Sequence, residues 1–209
     1  MFLNPDFYEY QFWYVIHSAA YYANTYEKRR KFREFLYLFV PLFPCKRCEL
    51  NKISPEILTY ILYHEYPLLE KDIQSNEDLM KWVQHFQKLV EGPNCTNCAY
   101  SNKPTDFGPH WWFVIHTCAS NANTIEKRRM FVDMMKKLCL LIPCQKCSEH
   151  ATEFVYKKDD PENYIHSKVD LFHWTYRFHE YANDNTKKQR WLRPSWDEVY
   201  HFYNTNFGK

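Results

Sequence analysis

A stretch reading FWYVIHSAAYYANTYEKRRKF from Phe12 recurs without a gap, 99 positions later, as WWFVIHTCASNANTIEKRRMF from Trp111. Both copies run on into Pro-Cys-x-x-Cys, PCKRC from Pro44 and PCQKC from Pro143. Roughly half of the aligned positions are identical, so whatever fold one copy adopts the other must also suit. A weaker match follows at an offset of 92, DLMKWVQHF from Asp78 against DLFHWTYRF from Asp170. The pattern predicts an internal duplication, read one unit at a time. The polar NKPTD stretch before Phe107 marks the boundary, giving units 1–104 and 105–209.

Each unit reads as helices. Phe32, Phe35, Leu36, Phe39 and Phe43 fall at helical spacing, as do Phe131, Met134, Met135, Leu138 and Ile142. Pro44 and Pro143 end those helices, and the CxxC after each falls at the first turn of the next. Further helices are expected over 55–65, 77–90, 171–183 and 195–204. No segment alternates with period two, so the expected class is all-α, two bundles of four or five helices. Only 3 glycines occur in 209 residues, far apart at Gly92, Gly108 and Gly208. The glycine turns of dinucleotide-binding sheets and P-loops are therefore excluded. Aromatic residues make up 19% of the chain. A nucleotide-like ligand would have to be held by side chains.

Charge narrows the partners. A net charge of +2 and a pI near 8.0 argue against nucleic acid or an anionic membrane as ligand. The start MFLNPDFYEYQFW, with acidic Asp6 and Glu9 and no basic region, is not expected to act as a secretory signal. Six of the 8 cysteines form CxxC pairs: Cys45/Cys48, Cys95/Cys98 and Cys144/Cys147. Cys118 and Cys139 stand alone. In a reducing compartment CxxC means redox chemistry or metal. A helix N-terminus favours the thiolate and two thiols a turn apart can close and reopen a disulfide. Two CxxC pairs can equally bind zinc. Spacing alone leaves both readings open.

Two further pairs sit at i, i+4: Trp112 with His116, and His179 with Asn183. The second continues an apolar stripe from Phe172 through Tyr176, and a polar end to a buried stripe points to a ligand or a buried network. Lys187 and Lys188 follow, either to meet a phosphate or as a solvated pair. In unit one Trp13, His17, Cys45 and Cys48 keep the early positions, but Gln87 and Glu91 stand where His179 and Asn183 do. If unit two binds a cofactor there, unit one is not expected to.

The motifs FGPHWWFVIH, PCQKCSEH and WTYRFHEYANDNTKK resemble, in order and spacing over about 100 residues, the Erv/ALR-type flavin-dependent sulfhydryl oxidases. Unit one resembles a degenerate copy, an arrangement similar to that of large-DNA-virus members of the family. The resemblance implies FAD held in a helical bundle by Gly108, Trp112, His116, His150, His179, Asn183 and Lys188. It also implies a C-terminal aromatic among Trp196, Tyr200 and Tyr203, of which Tyr200 is taken as the expectation. Cys147 is then the sulfur beside the flavin and Cys144 the partner that exchanges with incoming dithiols. Electrons pass from the pair to FAD and on to O2, leaving hydrogen peroxide. Cys95/Cys98 is the expected shuttle disulfide. The implied partners are protein dithiols or a small thioredoxin-like or CxxC relay protein. The units are expected to pair within one chain or as a homodimer. The cytoplasm of an infected cell, a virion or the mitochondrial intermembrane space would all suit. Departures from the family pattern are Glu180 after His179, Pro109 in place of an arginine, and no cysteine after Cys147. The alternative from another class is a zinc-stabilised helical interaction module, which has no need of the His179–Asn183 pair.

Overall fold

A computed structural model describes residues 5–43, 54–92 and 107–207, and contains no strand among them. Among the described residues nine α-helices follow one another: α1 (Pro5–Tyr21), α2 (Tyr26–Phe39), α3 (Pro55–Tyr60), α4 (Asn76–Glu91), α5 (Phe107–Asn121), α6 (Ile125–Leu141), α7 (Gln145–Glu153), α8 (Lys168–Asn185) and α9 (Trp196–Phe207). The all-α expectation holds among the described residues: the helices expected over 55–65, 77–90, 171–183 and 195–204 form, and so does the one that starts at Cys144, while the helix start expected at Cys45 lies outside the described residues. Cys45, Cys48, Cys95 and Cys98 lie outside the described residues, as does the expected boundary near 104.

The same local rules operate in both halves. Thr25 caps α2 by accepting from the Lys28 amide, and Thr124 caps α6 by accepting from the Lys127 amide. Ser75 and Ser167 cap α4 and α8 in the same way. α3 and α7 each run into a single π turn, Ile61–Glu65 and Phe154–Lys158. Arg29 donates to the carbonyls of Ile73 (2.7 Å) and Ala23 (3.4 Å), while Arg128 donates to those of Ile165 and Ala122. These arginines satisfy carbonyls that the helix ends leave over.

The halves differ in what fills the space behind α4 and α8. In the second, the Asp159 carboxylate takes Arg177 and the Tyr164 hydroxyl, each at 2.7 Å, and its carbonyl accepts from Trp174. In the first, Tyr66 stands at the position of Asp159. It stacks on Trp82 (5.4 Å between centroids) and His85 (4.9 Å). Trp13 is buried against Phe12 and Phe86. These rings of the first half serve packing.

The two halves pack through equivalent helices, α1 against α5 and α2 against α6. One continuous apolar core runs through both. Across the contact the Trp111 indole donates to Ser18 Oγ at 3.0 Å, Asn121 donates to the Leu42 carbonyl at 2.9 Å, and Lys137 pairs with Glu34 at 2.6 Å. No helix among the described residues is long and apolar enough to cross a membrane.

Candidate active site: a disulfide against an aromatic cavity

α5 carries Gly108, Trp112 and His116 on one face, a turn apart. α7 begins directly after Pro143, with Cys144 as its N-cap, and the Cys147 amide donates to Cys144 Sγ at 3.2 Å. Cys144 and Cys147 are joined as a disulfide with their Cα atoms 5.1 Å apart. Both are half-buried. A cysteine in the first turn of a helix faces free amides and the positive end of the helix dipole, which lowers the cost of a thiolate. The two lone cysteines sit in the opposite environment. Cys118 and Cys139 are fully buried, and burial pushes their thiols up, that of Cys139 to about 12. Neither is a nucleophile at neutral pH.

Cys147 forms part of the wall of a cavity of about 230 Å3 between α5, α7 and α8. Trp111, Trp112, Phe178 and Tyr181 supply its aromatic walls. Gly108 and His150 line it too. A Cβ built on Gly108 would meet nothing within 4 Å. The protein's own packing therefore does not demand a glycine there.

The other expected site residues stand behind or beside that wall. Trp112 stacks on His179 at 4.1 Å between centroids with planes 7° apart. His179 Nδ1 lies 3.2 Å from His116 Nε2, and His116 Nδ1 lies 2.9 Å from the Thr175 hydroxyl. Burial holds both rings below the usual histidine range. His116 is further lowered by His179, and His179 falls to about 4 with help from the charges of Lys188 and Arg193. Both are neutral at pH 7. Asn183 is buried and donates to Glu180, whose other oxygen takes Arg193 at 3.2 Å. Glu180, the departure noted above, thus fixes the Asn183 amide. The Lys188 amide closes the C-terminus of α8 by donating to the Asn183 carbonyl at 3.0 Å, with Lys187 in the left-handed region at φ 56°. Tyr200 packs on Phe172 and Trp196, off the cavity wall. Tyr203 is the α9 ring beside His116, at 5.1 Å.

Sequence reading missed Phe178, Tyr181, Ala182, Asn185 and Thr186, which line the cavity from α8. Their i, i+3 and i+4 spacing was legible. The stripe holding His179 and Asn183 drew attention to the neighbouring face. Thr175, wholly buried behind His116, had no signal of its own.

The fold and site together define an all-helical bundle that presses a helix-start disulfide against an aromatic cavity backed by neutral histidines. Residues 109–201, less than half of the chain, match the model of the Erv1 / Alr family, which supports an Erv/ALR-type sulfhydryl oxidase. Members of that family are FAD-linked thiol oxidases, so the match supports an oxidoreductase that uses FAD. No curated protein and no solved structure matches the chain.

The residues lining the cavity fit the ring system of a flavin. At about 230 Å3 the cavity is below the ~300–1,000 Å3 that encloses a whole drug-sized ligand. It is sized for a flat ring system. Lys188 adds positive charge near His179 at the C-terminal end of α8, whereas Arg193 is paired with Glu180 and Asp184. Among the described residues no three His, Cys, Asp or Glu side chains cluster as a metal site.

Proposed function

We propose that the chain is an FAD-dependent sulfhydryl oxidase that makes disulfides in protein dithiols, with its chemistry in the second half. The carrying observation is that the Cys144–Cys147 disulfide lies at the start of α7 with Cys147 on the wall of the aromatic cavity. Trp111, Trp112, Phe178 and Tyr181 would enclose the flavin ring. Gly108 and His150 would border it, His116 and His179 would back it, and Lys188 would face the phosphates. FAD, when bound, supplies a two-electron acceptor that passes its electrons to O2, giving hydrogen peroxide.

The chain's own part is thiol exchange. A substrate thiolate attacks Cys144 Sγ, the Cys144–Cys147 bond breaks, and Cys147 leaves as a thiolate stabilised by the helix start. The second substrate thiolate then attacks its own sulfur in the mixed disulfide and releases Cys144. The substrate has become a disulfide and the pair a dithiol, with Cys147 on the cavity wall. In the first half Gln87 and Glu91 replace the histidine and asparagine, and we read that half as a cofactor-free unit produced by duplication. It fills the place a second catalytic unit would take in a homodimer. The pairing of equivalent helices supports this, since that is how a two-fold interface is built. Cys95/Cys98 is the proposed shuttle between substrate and Cys144.

Replacing Cys144 tests the assignment. Cys144→Ser is expected to keep the bound flavin and abolish oxygen uptake with dithiothreitol. Turnover unchanged from wild type would remove Cys144 from the mechanism.

A further inference from the structure

Thr175 has one hydroxyl hydrogen, and the Phe172 carbonyl takes it at 2.6 Å, because a carbonyl can only accept. The same hydroxyl lies 2.9 Å from His116 Nδ1, and there it can only accept. His116 therefore carries its proton on Nδ1 and bares Nε2. His179 Nδ1, 3.2 Å away, must then be the donor in that contact. In a neutral His179 this leaves Nε2 without a proton. The chain of bonds runs one way, from His179 through His116 and Thr175 to the backbone of α8.

The first half shows the opposite arrangement. Val83 stands at the position of Thr175 and Gln87 at that of His179. The Gln87 amide nitrogen donates to both oxygens of Glu91, each at 3.1 Å, which turns its oxygen toward His17 Nε2 at 2.7 Å. An amide oxygen only accepts, so His17 carries its proton on Nε2. The two equivalent histidines of one chain hold opposite tautomers, and the residue at the Thr175 position distinguishes them.

We propose that Thr175 is a positioning residue that locks the His116–His179 pair in the Nδ1-protonated form, so that His179 offers a bare Nε2 as hydrogen-bond acceptor to a hydroxyl or amine of the dinucleotide beside Trp112. The ligand half of this proposal rests on the functional reading above; the tautomer half does not. Without the lock both rings can reverse, and His179 would present a donor where the ligand also presents one.

The test is long-range nitrogen–proton correlation NMR of the full chain with 15N-histidine at pH 7, joined to FAD titration of the flavin-stripped protein. Wild type and Thr175→Ser are expected to show Nδ1 protonated in His116 and His179, and Nε2 protonated in His17. Thr175→Val, which copies the first half, is expected to move the His116 proton to Nε2. It should weaken FAD binding about tenfold, the worth of one good hydrogen bond, while Thr175→Ser stays within about twofold of wild type. Nε2-protonated His116 in wild type, or unchanged tautomers and FAD affinity in Thr175→Val, would overturn the proposal. A wild-type protein with the lock in place that takes up no FAD would instead sink the functional reading.

Discussion

Ser18 and Thr117 occupy the same position in the two halves, and what faces them differs. Trp111 donates its indole N–H to Ser18. The residue equivalent to Trp111 in the first half is Phe12, which has nothing to donate. Thr117 Oγ1 is buried with no hydrogen-bond partner among the described residues. A buried hydroxyl without a partner costs about 1–3 kcal/mol, so the two sites respond in opposite directions. Thr117→Val keeps the shape and removes the hydroxyl, and should raise stability by about 1 kcal/mol. Ser18→Ala should lower it by about 1–2 kcal/mol by stranding the Trp111 N–H. Urea unfolding of the two variants checks both signs; a destabilised Thr117→Val would contradict the reading of that hydroxyl. None of this was legible in one copy of the repeat. It follows from the two copies differing at position 12 against 111, which matters only once α1 is laid on α5.

At the scale of elements, the sequence was most readable where a single helix sets the outcome. The apolar spacing of 32–43 and 131–142 and the proline before Cys144 predicted helices that the structure contains. It was least readable where two helices cross. The contacts of His116 with Thr175 and His179 span 59 and 63 residues of chain. No period along one helix announces them. Those crossings also bury titratable rings. Unfolded histidine titrates near 6.5, whereas His17 and His179 in the fold titrate at about 4 and His116 lies well below its usual value. Between these values the unfolded chain binds more protons than the folded one. Stability is therefore fully present above about pH 6.5 and falls as the pH drops toward 4, by up to about 1.4 kcal/mol per pH unit for each histidine. Urea midpoints measured from pH 7 down to pH 5, above the range where carboxylates titrate, should decline through that window. Midpoints flat across it would mean that these rings are not buried as neutral groups.

For the molecule as a whole, the equivalence of the halves carries an expectation about assembly. α1 with α5 and α2 with α6 already cover the faces that two copies of such a bundle would use. The force between them is mostly apolar. The Glu34–Lys137 pair, about a third exposed on each side, adds no more than about 1 kcal/mol, whereas the core that continues across the contact is wholly buried. The protein is accordingly predicted to be a monomer of 25.7 kDa by light scattering. A stable dimer would show that the pairing surface lies elsewhere. The scarcity of glycine takes on its meaning at this scale too. It excludes the loop-and-sheet ways of holding a dinucleotide, and the helices instead bring Trp111, Trp112, Phe178 and Tyr181 to one cavity at Cys147.

The most direct measurement is the absorbance spectrum of the purified full chain, taken without oxygen before and after adding dithiothreitol and again after admitting air. About one bound FAD per chain is expected, bleached by the dithiol and restored by oxygen. A colourless protein, or a bound flavin that the dithiol leaves unbleached, would contradict the central claim that Cys144–Cys147 feeds electrons into an FAD site built by α5, α7 and α8.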